Sequence, residues 1–144
     1  MKLPKPEPGL VIRYSYLWMR EYEEGREEGV KDRPCAIILA TNGEEKKQVL
    51  VVPITHTSPS DDEVAVELPQ DVKRLLRLDA ERSWVILSES NLFQWPGPDL
   101  RPSRKELDSS VAFGLLPPKI FSLLKDRFLR LEVSRRSNRI RRTE

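Results

Sequence analysis

Residues 31–57 read "KDRPCAIILATNGEEKKQVLVVPITHT", and this stretch decides the fold class. It holds two strongly apolar runs, PCAIILA and QVLVVPIT, on either side of an Asn-Gly pair. Continuous apolar runs of this length, rich in β-branched residues, are typical of buried strands, and Asn-Gly is the usual signal for a hairpin turn. The stretch therefore predicts two neighbouring antiparallel strands. Arg33 opens the first strand, and Thr55 and His56 close the second.

The segments on both sides of this hairpin extend the β prediction. Strand-type mixtures of β-branched, aliphatic and aromatic residues occur in GLVIRYSYLWM (9–19) and SWVILSESNLF (83–93), and short strands are predicted in EVAVEL and SSVAFGLL. Helical spacing predicts a short helix over 69–78 and a longer one over 117–133, whose apolar face would contain Ile120, Leu123, Leu124, Phe128 and Leu131. The close strand spacing predicts a mainly β fold with short helices, built as a small, strongly bent sheet or barrel.

Length and charge predict one domain with a basic tail. A chain of 144 residues buries roughly two-thirds of its unfolded surface as a single domain, which we assign to residues 1–133. Residues 134–144 contain five arginines, one glutamate and one large apolar side chain, a composition that predicts a frayed or flexible tail. The net charge of +2 is too small to steer nucleic acid by itself, so the distribution of charge matters more than the sum.

Several classes of protein are excluded or made improbable by the composition. The single cysteine, Cys35, permits no internal disulfide and fits a reducing compartment. The first residues lack the apolar core of a secretory signal, and no run of about 18 apolar residues predicts a membrane span. One histidine and one cysteine do not make a usual zinc site, and no glycine-rich phosphate loop occurs. We therefore expect a cytoplasmic protein without metal or other cofactor.

The polar ends of the two hairpin strands each allow two interpretations. Arg33 can clamp a phosphate with its planar fork of donors, or it can pair with a carboxylate of the acidic loop before it. Thr55 can hold a substrate oxygen, or its hydroxyl can bind the backbone at the strand end. His56 has an unperturbed pKa near neutrality and can transfer protons, or it is an exposed loop residue.

The remaining candidates are acidic, aromatic and basic residues. Glu28 lies five residues before Arg33, where a carboxylate can act as a base, orient the guanidinium or form a simple ion pair; Glu89 has the same ambiguity. Trp95 lies in the proline-rich segment QWPGPDLRP, where an aromatic ring can stack on an unpaired base. Arg135 and Arg136 can bind RNA phosphates or stay solvated.

These stretches together resemble the MazF/PemK family of toxin endoribonucleases. The resemblance covers about residues 8–131. Its motifs, in family order, are the GLV strand, a loop glutamate five residues before Arg-Pro, the RPCAI strand, the PIT strand end and the FGLL turn into the last helix. It implies an SH3-like small barrel with a C-terminal helix, paired as a homodimer. It also implies metal-independent cleavage of single-stranded RNA and inhibition by a cognate antitoxin protein.

The resemblance assigns roles to individual residues. Arg33 matches the family's catalytic arginine and Thr55 its catalytic threonine, Glu28 matches the loop glutamate, and Glu89 matches an acidic position that some members use near the site. The chain departs from the pattern in two places: Gly29 stands where a glutamine is usual, and the stretch after Glu89 lacks the usual arginine. The alternatives are a catalytically inactive RNA- or protein-binding module of the same fold, or a protein-interaction module that uses the Trp95 segment.

Overall fold

The computed structural model describes residues 3–27, 29, 31–41, 47–104 and 109–142. The described part of the chain is mainly β, as the sequence predicts, and it has three helices, of which the sequence predicts the second and third. The elements in order are β1 Leu10–Tyr14, α1 Met19–Glu23, β2 Arg33–Ala40, β3 Lys47–Thr55, β4 Ala65–Glu67, α2 Gln70–Leu75, β5 Trp84–Ile86, β6 Glu89–Trp95, β7 Leu100–Arg101, β8 Ala112–Leu115, α3 Pro118–Val133 and β9 Asn138–Arg141, with a 3₁₀ turn at Asp62–Val64 before β4.

The centre of the sheet is the antiparallel trio β1, β2 and β3. The predicted pairing of β2 with β3 is confirmed, and its turn at 42–46 lies outside the described residues. The outer edge of β3 pairs first with β6 and then with β5, and the change of partner falls beside Pro53, which has no amide hydrogen to donate. The outer edge of β1 is divided in the same way between β8 and β7. Among the described strands the pairing leaves an open, bent sheet, so closure into a barrel is not confirmed.

Apolar side chains cover both faces of this sheet. On one face, Leu124, Phe128 and Leu131 of α3 pack with residues such as Val52 of β3. On the other face, the rings of Tyr14 and Phe93 stack with centroids 4.5 Å apart. The predicted apolar face of α3 is largely confirmed, but Leu123 is 42% exposed because it points away from the sheet.

The segment after β1 differs from the predicted long strand. The backbone N–H and C=O of Leu17 do not join a strand ladder, because the side chain of Asn91 accepts from one and donates to the other, both at 2.9 Å. The chain then turns into α1, where the Glu21 carboxylate accepts from the Trp18 N–H at 3.0 Å. The acidic stretch therefore begins with a helix, and Glu21 is buried.

The prediction of a flexible basic tail is wrong for residues 138–142. Strand β9 pairs in parallel with β6, and Ile140 is buried. Arg142 is buried as well, and its guanidinium donates to the Asp99 carboxylate at 2.7 Å and to the Ser15 carbonyl at 2.8 Å. The composition predicted a solvated arm, because the number of arginines in a segment does not show that buried acceptors elsewhere in the chain bind one of them.

Two further findings bear on the expectations from composition. Cys35 is fully buried and unpaired, and desolvation raises the pKa of its thiol, so it is packed as a small apolar side chain. None of the helices in the described ranges combines the length and the apolar composition needed to cross a bilayer.

Candidate functional site

Arg33 and Thr55 line one cavity at the junction of β2 and β3. In the β2–β3 register Cys35 faces Pro53, and continuing it by two places sets Arg33 opposite Thr55. Side chains that face each other across an antiparallel pair lie on the same side of the sheet. The cavity has a volume of about 350 Å³. We call it the arginine–threonine cavity, and it is lined by Trp18, Arg20, Lys31, Arg33, Thr55, His56, Thr57, Ser58, Pro59, Ser60, Val64 and Ile86.

The Arg33 guanidinium is partly buried and has no carboxylate partner within 4.0 Å among the described residues. It lies over the Trp18 ring at 4.9 Å from the centroid, and the guanidinium of Arg20 lies at 5.1 Å from the same ring. The Arg33 Nε is buried without a hydrogen-bond partner in this part of the chain. Desolvation lowers the pKa of Arg33, but a guanidinium stays charged at any working pH. Within the described part of the chain, Arg33 is therefore a cation that no carboxylate pairs with.

Thr55 is buried, and its hydroxyl donates to no acceptor in the part of the chain that the structure describes. Its Oγ1 accepts the N–H of Thr57 at 3.1 Å, which is the local strand-end role considered from the sequence. A hydroxyl has one donor and two acceptor positions, so this bond leaves the hydroxyl hydrogen available to a ligand oxygen. The backbone role and a ligand role are therefore compatible.

His56 is exposed, and both of its ring nitrogens face acceptors. Nε2 lies 2.9 Å from the Asp79 carboxylate, and Nδ1 lies 3.2 Å from the Arg82 carbonyl oxygen. The Ser83 hydroxyl also lies 3.4 Å from Nδ1, so the ring is held by contacts at both nitrogens. Asp79 is in turn held at 2.7 Å by the buried ammonium of Lys73. Burial opposes ionisation of Asp79, but the hydrogen bond and charge of Lys73 prevail and lower its pKa.

His56, Asp79 and Glu81 form a possible metal-ligand trio. Their ligand atoms lie within 4.8 Å of one another, and all three residues are exposed. The Lys73 ammonium already occupies one oxygen of Asp79 and would repel a divalent cation at this distance. The geometry therefore fits an ion-pair network better than a metal centre, and the expected absence of a metal stays a prediction.

Neither candidate carboxylate is among the described residues that line the cavity. Glu28 lies outside the described residues. Glu89 lies at the start of β6, where it accepts from the Tyr16 hydroxyl at 3.0 Å and from the Met19 N–H at 2.9 Å. Burial raises the pKa of Glu89 although both hydrogen bonds oppose that shift. Glu89 thus fixes the segment that carries Trp18 instead of facing the cavity.

The other predicted RNA contacts, Trp95, Arg135 and Arg136, are not among the residues that line the cavity. Trp95 pairs with Lys47 at the far end of β3, about 25 Å along the strand from Thr55. Arg136 is engaged by the carboxylates of Asp61 and Glu63 at 2.6 and 2.7 Å. Arg135 is exposed beyond the end of α3.

Sequence reasoning missed Trp18, Arg20 and Lys31 as cavity residues. The loop that ends at Lys31 can approach the segment before Trp18 because residue 29 is a glycine: a Cβ there would lie 2.1 Å from the Tyr16 carbonyl oxygen. The departure from the family pattern at this position therefore has a local steric reason. A glycine inside an otherwise charged loop was the available signal of a close backbone approach.

Comparisons of the chain with protein-family models, with curated proteins and with solved structures find no match. The features that bear on function are therefore the motifs of the sequence and the geometry of the arginine–threonine cavity.

Proposed function

We propose that this protein is a MazF/PemK-like endoribonuclease that cleaves single-stranded RNA without a metal ion, as the toxin of a type II toxin–antitoxin system. The observation that carries the proposal is that Arg33, Thr55 and His56 line one cavity, large enough for part of a nucleotide. The open sheet would then correspond to a variant of the SH3-like small barrel. A homodimer, a cognate antitoxin and a cytoplasmic location belong to the same proposal.

The proposed chemistry uses the nucleophile that RNA carries. The 2′-hydroxyl attacks the adjacent phosphorus, the bond to the 5′-oxygen breaks, and the products are a 2′,3′-cyclic phosphate and a 5′-hydroxyl. Arg33 stabilises the charge that develops on the phosphorane oxygens, because it is a desolvated cation without a carboxylate partner among the described residues. Thr55 donates its free hydroxyl hydrogen to another of these oxygens.

Proton transfer is divided between two candidates. His56 suits the acid that protonates the leaving 5′-oxygen, because it lines the arginine–threonine cavity beside Thr55 and an imidazole ring can transfer protons. Exposed Glu81, 3.3 Å from Nδ1, is the acceptor that a substrate oxygen would replace. Glu28 stays the candidate base for the 2′-hydroxyl, on the family resemblance alone.

The test is cleavage of a mixed pool of single-stranded RNA in EDTA. We expect wild-type protein to produce 2′,3′-cyclic phosphate ends, and Arg33→Met to lower the rate by about a hundredfold or more. Arg141→Met is the matched control, since Arg141 is exposed on β9 and lines no part of the cavity. Growth arrest on expression should follow the same order. Intact RNA with wild-type protein, or equal rates in the two variants, would refute the proposal.

A second candidate is an RNA-binding module of the same fold without catalysis. None of the described residues that line the arginine–threonine cavity is a carboxylate that could act as the base, and this favours the second candidate. This candidate predicts salt-dependent binding of single-stranded RNA that survives incubation intact. The same experiment therefore separates the two functions.

A further inference from the structure

A second cavity adjoins the arginine–threonine cavity and shares Lys31, Arg33 and His56 with it. Its volume is about 380 Å³, and we call it the basic cavity. Five cationic side chains line it: Arg13, Lys31, Arg33, Arg77 and Arg104. In the described part of the chain, none of the five has a carboxylate oxygen within 4.0 Å.

The acids of this cavity are already paired with other cations. Asp32 lies 3.6 Å from Arg101, and Asp79 is held by Lys73 and His56. Among the described residues that line it, the cavity therefore has more cations than its carboxylates neutralise. Such an excess of positive charge attracts an anion.

Arg13 provides a second observation that favours an anionic ligand in this cavity. Its Nε is buried without a hydrogen-bond partner among the described residues, as is the Nε of Arg33 in the same cavity. In the sheet register Arg13 stands directly opposite Arg101, a like-charge pair that destabilises strands. A ligand with oxygen acceptors in this cavity would offer the Arg13 side chain the partner that its Nε lacks among the described residues.

Arg77 stands where the backbone favours glycine. It follows α2 with φ 56°, and the bonds from Arg77 N–H to Arg74 and from Leu78 N–H to Lys73 close the turn in a Schellman motif. Arginine costs about 1 kcal/mol more than glycine in this left-handed conformation. Its side chain lines the basic cavity, where it adds a cation.

We propose that the basic cavity is a second phosphate subsite, which holds a backbone phosphate of the same single strand whose neighbouring phosphate enters the arginine–threonine cavity. This inference rests on the proposed function for the identity of the strand as RNA. Because Arg33 and Lys31 line both cavities, one continuous strand can contact both without a gap. A strand then binds through at least two phosphates, and the minimal substrate is longer than a dinucleotide.

The test uses a short single-stranded DNA oligonucleotide, which lacks the 2′-hydroxyl and is not cleaved. Its binding is measured by fluorescence anisotropy over a range of salt concentrations. We expect Arg77→Gly to weaken binding roughly five-fold and to lower the slope of log K against log salt by about 0.7. Arg135→Gly is a matched control: Arg135 also has a positive φ, 61°, after a helix, and it does not line the cavity.

Each outcome decides between the readings. Equal binding by wild type and both variants, or equal losses in both variants, would overturn the second subsite. Binding of poly-glutamate that is sensitive to Arg77→Gly, without oligonucleotide binding, would overturn it in favour of an acidic peptide. An Arg77-dependent slope in a protein that cleaves no RNA would keep the subsite and refute the endoribonuclease. RNA cleavage with equal salt slopes for wild type and both variants would support the endoribonuclease and refute the second subsite.

Discussion

The buried guanidinium of Arg142 offers the sharpest test of how the fold is held together. It donates five hydrogen bonds, to the Tyr14 hydroxyl, the Ser15 carbonyl, the Asn91 amide oxygen, the Glu27 carbonyl and the Asp99 carboxylate, at 2.7 to 3.3 Å. Arg142→Met keeps much of the side-chain volume but removes every donor. Among the described residues, the buried Asp99 carboxylate then keeps Arg101 as its one cationic neighbour, at 3.9 Å.

The expected loss is large against the stability of a small domain. Removing one partner of a buried ion pair costs about 3–5 kcal/mol, and whole domains have about 5–15 kcal/mol. We therefore expect Arg142→Met to lower the melting temperature by roughly 10 °C or more. The assay is urea unfolding followed by circular dichroism, with the midpoint and slope fitted for each variant.

Arg141→Met is the control, because Arg141 is the exposed neighbour on the same strand. Its loss should stay within about 0.5 kcal/mol. A loss below about 1 kcal/mol for Arg142→Met, or equal losses in both variants, would show that the C-terminal strand is not anchored by this guanidinium.

Three further predictions concern positions around the cavity. Gly29→Ala should destabilise the fold by at least about 2 kcal/mol, since its Cβ would lie 2.1 Å from the Tyr16 carbonyl oxygen; unfolding curves that match wild type would contradict this. Burial raises the pKa of Glu89 above 4.5, so the ionised form costs the folded state and wild-type stability should fall relative to Glu89→Gln as pH rises through the raised pKa. Parallel profiles of unfolding free energy against pH would refute that. Asp79→Ala should cost about 2 kcal/mol because it leaves the Lys73 ammonium buried without its carboxylate, and adding Lys73→Met should recover part of the loss in a double-mutant cycle.

The hairpin and the long helix were predictable because their signals are local. The apolar runs around the Asn-Gly pair and the spacing of Leu124, Phe128 and Leu131 depend on neighbours in sequence, and each is found in the structure. The end of β1 was not predictable in this way. It depends on Asn91, which is distant in sequence and binds the Leu17 backbone through its side chain.

The candidate site was predictable in part for the same reason. Arg33 and Thr55 are brought together by hairpin register alone, so motif reasoning reached both. Arg77 and Arg104 enter the neighbouring cavity from distant turns, and nothing in their local sequence marks them. The ion pairs of Arg136 with Asp61 and Glu63 were not predictable from local sequence, because they join segments that are about seventy-five residues apart.

The position of Trp18 has a practical consequence for experiments on this protein. Two guanidinium groups lie against its indole ring, and one of them belongs to the arginine proposed to meet the phosphate. A ligand that moves this guanidinium changes the electric field on the indole. The wavelength and intensity of the Trp18 fluorescence then change as well. A variant that retains Trp18 and has phenylalanine in place of the other two tryptophans would therefore report ligand binding to the cavity through its intrinsic fluorescence, with no label on either molecule.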